Sequence, residues 1–222
     1  MNTLYGLDVT TQWDKILEVH ALALGKVYRP DWYRWKLTNN FERAVFLKGD
    51  PVLPRETSRY LWANENHLGS QIVEIGCSTG YGSQFFGQNI EYIGLDYDPI
   101  IVQVAKEQNW GVHRHFVNVD INTYDLGFCN TIIAFEVIEH LDNGLEIVEK
   151  LKDHCNRLLI SVPHNEPKGF WGEHHKLHGL NESDFPTFSF SYVNEHGYIS
   201  NDMQALSPQN TCNLMLARWD RG

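Results

Sequence analysis

Glu136, Glu139 and His140 stand three and four residues apart within Phe135-Glu-Val-Ile-Glu-His-Leu141. If a helix begins near Val137, that spacing puts two carboxylates and an imidazole on one face. Such a face can hold a divalent cation of the Mg²⁺ or Mn²⁺ kind, or it can move a proton near neutral pH. More imidazoles follow, at His164 and in Glu173-His174-His175-Lys-Leu-His178. With one of them added, the expected metal set is Glu136, Glu139, His140 and His175. The same residues could instead brace the start of a helix, or act as metal-free acid–base groups, and the later histidines could lie in a solvated loop.

A second segment able to do chemistry is Val73-Glu-Ile-Gly76-Cys-Ser-Thr-Gly80-Tyr-Gly82. Glycines directly after a buried strand permit a tight turn and let a ligand approach the main chain. Gly94-Leu-Asp96-Tyr97-Asp98 closes the following strand. Asp96 lies about 20 residues past Gly76, where open α/β sheets place an acid on ribose hydroxyls. A dinucleotide fingerprint needs glycine at its first, third and sixth positions. Those positions hold Gly76, Ser78 and Tyr81, which disfavours a nicotinamide cofactor and an oxidoreductase.

The elements that must position these residues alternate from residue 71 onward. Strands are expected over 71–75, 91–95, 115–119, 131–135 and 157–162. Helices are expected over 81–86 and 99–108, with a long one running from near Val137 to about His154. That alternation implies a doubly wound, mostly parallel sheet with crossovers on both faces. A short helix over 181–185 and strands over 188–193 and 213–219 suit an antiparallel hairpin at the end of the sheet. Residues 1–69 read as a helical aromatic cap. It begins at a capping-box-like Thr11-Gln-Trp-Asp14 and has a helix stopping at Gly25, a cluster of Trp32, Tyr33, Trp35 and Phe41, and a helix over 56–68. Residues 70–222 read as the ligand-binding domain.

Taken as a series, Glu74-Ile-Gly76-Cys-Ser-Thr-Gly80, Tyr92-Ile-Gly-Leu-Asp96, Val119-Asp120-Ile121 and Phe135-Glu-Val-Ile-Glu-His-Leu141 resemble class I S-adenosylmethionine-dependent methyltransferases in content, order and spacing. The resemblance covers roughly residues 70–165 and implies the Rossmann-like fold of that class. It implies that Glu74, Gly76, Ser78 and Gly80 hold the methionine part of S-adenosylmethionine. Asp96 would meet the ribose, Tyr97 the adenine, and Asp120 with Ile121 the adenine edge. Phe135 and Glu136 would line the reacting end. The Glu-x-x-Glu-His segment with a later histidine is also similar to small-RNA 3′-terminal 2′-O-methyltransferases, where it binds metal. Ubiquinone-pathway O-methyltransferases carry a similar segment. The implied activity is O-methylation of a small hydroxylated acceptor, assisted by a divalent metal, with Glu136, Glu139 and His140 as catalytic residues. An RNA 3′-terminal enzyme and an inactive S-adenosylmethionine-binding protein are the alternatives.

The 222 residues carry a net charge of -10, with 42% hydrophobic and 21% charged residues, the balance of a globular protein. That acidity disfavours broad nucleic-acid binding, which rests on Lys and Arg neutralising phosphates. Neither a signal peptide nor a membrane-length apolar run is seen, so a cytoplasmic location is expected. Four scattered cysteines, Cys77, Cys129, Cys155 and Cys212, fit reduced thiols better than a disulfide framework.

Overall fold

The computed structural model describes residues 3–4, 7–8, 46–108, 110–170, 174–206 and 213–222. The chain divides into two units, Met1–Val45 and Phe46–Gly222. In the first, β1 (Thr3–Leu4) and β2 (Leu7–Asp8) pair antiparallel. The helix expected to end at Gly25 and the Trp32–Phe41 cluster lie outside the described residues.

The second unit holds one eight-stranded sheet. Its strands are β3 (Gln71–Ile75), β4 (Glu91–Asp96), β5 (Arg114–Asn118), β6 (Cys129–Phe135), β7 (Cys155–Pro163), β8 (Ser189–Val193), β9 (Ile199–Ser200) and β10 (Leu214–Asp220). They lie in the order β5-β4-β3-β6-β7-β10-β8-β9. The first five of that order are parallel to one another, while β10 runs antiparallel to both β7 and β8. This is the class I methyltransferase fold, with the expected antiparallel strands at its carboxyl-terminal end. The final strand lies between β7 and β8, and the two-residue β9 forms the edge.

The central strands carry unbroken apolar runs because crossovers cover both faces. Ile132 and Ile133 on β6 and Leu158, Leu159 and Ile160 on β7 are fully buried. Each such side chain contributes about 1.5–3 kcal/mol by leaving water. At the far edge β5 reverts to partial exposure, with Arg114 and Phe116 buried. Arg114 is the polar one of the two. Its guanidinium donates to the carbonyls of Ser83, Phe86, Gly87 and Ile90, fastening the turn after β3 to the start of β4.

Among the described residues, three helices flank the sheet: α1 (Pro54–Asn66), α2 (Pro99–Glu107) and α3 (Gly144–Lys152). Pro54 and Pro99 begin theirs from the favoured first-turn position. The Asp98 carboxylate caps α2, accepting from the N–H groups of Ile100 and Ile101. The expected helix over 81–86 is a 3₁₀ turn, Tyr81–Phe85, and α1 lies against it.

One expectation fails. The long helix from near Val137 is broken into a 3₁₀ turn over Ile138–His140 and a separate α3. Glu136 sits at φ 53°, in the left-handed region, while its N–H still bonds to the Ser161 carbonyl as the last rung between β6 and β7. The break itself falls at Leu141, which is extended at φ -100° and ψ 132° and ends the turn before α3 begins. Gly144 then packs so closely on the Ile138 carbonyl that a Cβ would lie 2.2 Å from its oxygen. Among the described residues, no helix is long and apolar enough to cross a membrane. Cys77, Cys129 and Cys155 are buried, and Cys212 lies outside the described residues.

Candidate active site at the carboxyl edge of the sheet

The parallel strands β3, β4, β6 and β7 end together, and the segments that follow them form the site. After β3, Gly76, Ser78 and Gly80 all adopt positive φ, at 71°, 49° and 77°. Glycine is required at two of them for space as well. A Cβ on Gly76 would stand 2.4 Å from Val137, and one on Gly80 would stand 2.5 Å from the Phe116 ring. The first approach brings this turn against the segment after β6. The N–H groups of Gly76 and Cys77 both bond to the Leu95 carbonyl, and that of Ser78 to the Asp96 carboxylate at 3.0 Å. Asp96 also accepts from the Asp98 N–H, so the carboxyl ends of β3 and β4 are tied through one side chain.

Glu74, 1% exposed, lies beneath the turn and accepts from the Tyr60 hydroxyl at 2.5 Å. Its other oxygen has no hydrogen-bond partner among the described residues. Burial lifts this carboxyl to about 8, against the pull of the Tyr60 hydrogen bond and the Arg59 charge. Arg59 is buried beside it, donating to the Tyr81 hydroxyl at 3.2 Å and lying 3.8 Å from Glu136, and its Nε has no hydrogen-bond partner among the described residues. Burial opposes that charge, but Tyr81, Glu136 and the other groups facing it hold it firmly protonated. The expectation assigned neither Arg59 nor Tyr60 to the site. Helical spacing on α1 marks them only as an adjacent polar and aromatic pair, and their convergence on Glu74 is a tertiary fact.

The remaining nucleotide-end residues are dispersed. Tyr97 is 70% exposed next to Asp96. Asp120 is exposed and bonds to the backbone and side chain of Asn122, contacts that hold its carboxyl below the usual range. Ile121 is buried. The Phe135 ring packs under α1 against Tyr60 and Trp62, with the Arg59 guanidinium 5.1 Å above it.

The three residues expected on one helical face are instead spread around the left-handed turn. Glu136 is partly exposed and accepts from the Ser161 hydroxyl at 2.9 Å. Glu139 is 1% exposed, and neither of its oxygens has a hydrogen-bond partner among the described residues. Burial, then the nearby Glu136 charge, pushes its carboxyl well above the usual range. His140 lies in a group of imidazoles. One ring nitrogen from each of His140, His174 and His175 lies within 4.8 Å of the others. Thus His140 and His175 of the expected metal set come together with His174, while Glu136 and Glu139 lie outside that group. His164 instead contacts Glu182 and Tyr192.

The family model described as a methyltransferase domain matches residues 48–207. No curated protein matches the chain. Among solved structures, magnesium protoporphyrin IX methyltransferase from Synechocystis PCC 6803 with bound S-adenosylmethionine is 18% identical, over 98% of this chain and 100% of that one, with a TM-score of 0.54. The plantazolicin methyltransferase BpumL with S-adenosylhomocysteine is 14% identical, over 76% and 82%, at 0.53. The bifunctional kinase-methyltransferase WbdD is 14% identical, over 74% of this chain and 38% of that one, at 0.52. At these identities the likeness is one of fold.

Proposed function

The chain belongs to the methyltransferase-domain family as an S-adenosylmethionine-dependent enzyme, and we propose that it methylates the hydroxyl oxygen of a small molecule. The observation that carries this reading is a set of buried polar atoms at the carboxyl edge with no hydrogen-bond partner among the described residues: one oxygen of Glu74, the Nε of Arg59 and both oxygens of Glu139. Buried polar groups are nearly always satisfied, so such a gathering marks where a ligand completes the bonding. Glycine at 76 and 80 lets this turn adopt positive φ while packing directly on Val137 and Phe116, which holds its main chain in one fixed shape for a ligand to meet.

S-adenosylmethionine supplies an already activated methyl group when bound. What remains for the protein is alignment. The turn at Gly76, Ser78 and Gly80, with Glu74 beneath it, suits the methionine portion, and Arg59 offers a cation for its carboxylate. Asp96 suits the ribose hydroxyls, with Tyr97, Asp120 and Ile121 toward the adenine. Phe135, Glu136 and Glu139 then flank the methyl. In the transfer, an acceptor oxygen lone pair forms the new C–O bond as the C–S bond breaks. The electron pair stays on sulfur, leaving S-adenosylhomocysteine. The hydroxyl proton must depart as that bond forms. The imidazoles at this edge serve that step, either as a general base or by holding a divalent cation that lowers the hydroxyl pKa. The acidic chain favours a small acceptor over a polyanion.

Glu139→Ala tests the division of labour. Turnover should vanish while calorimetric affinity for S-adenosylhomocysteine stays nearly unchanged. Equal loss of both would make Glu139 a structural or cofactor-bound group, and no detectable affinity in the wild-type protein would sink the cofactor assignment itself.

A further inference from the structure

We propose that His140, His174 and His175 form a three-imidazole site for a divalent transition metal of the Zn²⁺, Co²⁺ or Fe²⁺ class. The proposal deepens the O-methylation reading and rests on it for the metal's use, though not for the site's existence. The rings surround a common point. The His140 and His174 centroids are 5.5 Å apart, with planes 17° from parallel. His175 stands nearly perpendicular to both, at 4.6 and 4.7 Å. Three nitrogens about 2.0–2.1 Å from a tetrahedral metal lie about 3.4 Å from one another. Closing from the 4.8 Å limit therefore takes side-chain shifts on the order of an ångström.

Two further features make this more than a chance meeting of rings. First, His175 Nδ1 lies 2.6 Å from a carboxylate oxygen of Glu166, a residue 2% exposed. A buried carboxylate on one imidazole nitrogen fixes the ring and leaves the other nitrogen to ligate, the usual outer support of a metal-binding histidine. Second, the main chain holds the two histidine segments together. The N–H groups of Lys176 and Leu177 both donate to the Glu139 carbonyl, one residue before His140. The loop is closed at its base by the bonds of Gly179 N–H to Glu166 and of Asn165 N–H to Leu180. The geometry is thus built by backbone before any ion arrives.

The donor set decides the kind of metal. Mg²⁺ demands near-octahedral oxygen ligands, whereas imidazole suits zinc, iron, cobalt, nickel and copper. The oxygen-rich set expected from the sequence is not what converges: Glu136 is engaged by Ser161 and faces Arg59. Three protein ligands leave a fourth position for an acceptor oxygen, whose pKa the ion lowers so that its proton passes to solvent. The Gly76–Val137 contact brings the segment that leads to His140 against the glycine turn.

The test is calorimetric titration of chelator-treated full-length protein with Zn²⁺ and, separately, Mg²⁺. S-adenosylhomocysteine binding to each preparation reports an intact fold. The expected result is one Zn²⁺ per chain with no Mg²⁺ binding. Glu166→Gln should weaken Zn²⁺ about 10–100-fold, and His174→Ala should weaken it further. Absence of Zn²⁺ binding, or equal affinity in His174→Ala and wild type, overturns the proposal. Mg²⁺ binding that is lost in Glu139→Ala and kept in His174→Ala also overturns it, in favour of a carboxylate site. Zn²⁺ binding without S-adenosylhomocysteine binding would leave the metal site standing and sink the cofactor reading.

Discussion

After β3 the chain turns with main-chain atoms; after β6 it turns to present side chains. The glycine turn is local. Gly76, Cys77 and Ser78 bond within β4 and its end, and the positive φ angles come from residues a few positions apart. The turn after β6 also has a left-handed residue, but there it is Glu136, an amino acid that pays strain to be so placed. Its neighbours then meet residues from a loop more than thirty positions later, through the Glu139 carbonyl. On the proposed function, the first region would recognise a constant ligand, while the second brings side chains together from distant parts of the chain. One can be read from a short string, whereas the other requires the fold.

The largest way to break this contrast is Gly76→Ala. The new methyl meets both an unfavourable φ of 71° and Val137 at 2.4 Å. Backbone strain alone is about 1–3 kcal/mol. Calorimetric affinity for S-adenosylhomocysteine should fall by more than about 100-fold once the collision is added. Adding Val137→Ala removes the collision and keeps the strain, so it should restore only part of the loss. Wild-type affinity in Gly76→Ala would show that the turn does not recognise the ligand through its backbone.

Next in size is the pH dependence of the ligand-free protein. Glu74 has its carboxyl at about 8 in the fold against an ordinary 4.5. Between those values the folded state holds a proton that the unfolded state has released. Stability is therefore fully present below about pH 4.5 and is lost as pH rises through 8, by an amount on the order of a few kcal/mol. Thermal melts from pH 5 to 9 should fall in the wild type and flatten in Glu74→Gln, with a residual slope of the same sign from Glu139. An unchanged slope in the variant would mean that Glu74 is not the group that titrates.

The smallest expected effect sharpens the recognition side. Asp120 is exposed and already serves the Asn122 turn. As an adenine contact worth one hydrogen bond, its replacement in Asp120→Ala should raise the S-adenosylhomocysteine dissociation constant about tenfold. No change would assign it to the turn alone.

The sheet was legible because its central strands are apolar runs bounded by glycine and proline, and because Asp98-Pro99 announces a helix start. Strand limits moved by only a few residues. The helix expected after β6 rests on the helical spacing of Glu-Val-Ile-Glu-His, whereas the chain turns extended at Leu141 and the Glu139 carbonyl is taken by the N–H groups of Lys176 and Leu177, which the short string does not show. Arg59, Tyr60 and Glu166 escaped for the same kind of reason. Each gains meaning only from a partner remote in sequence, at Glu136, Glu74 and His175 respectively.

The place of β10 has a consequence in time. It lies between β7 and β8, yet its residues are made after both. During synthesis, the outer edge of β7 and the inner edge of β8 can find their proper neighbour only once residues 214–220 have emerged. Until then each offers an open row of main-chain donors and acceptors to any passing strand. The nascent half-sheet is thus complete at its cofactor side while still unsealed at the other, and a chaperone would meet that unsealed side.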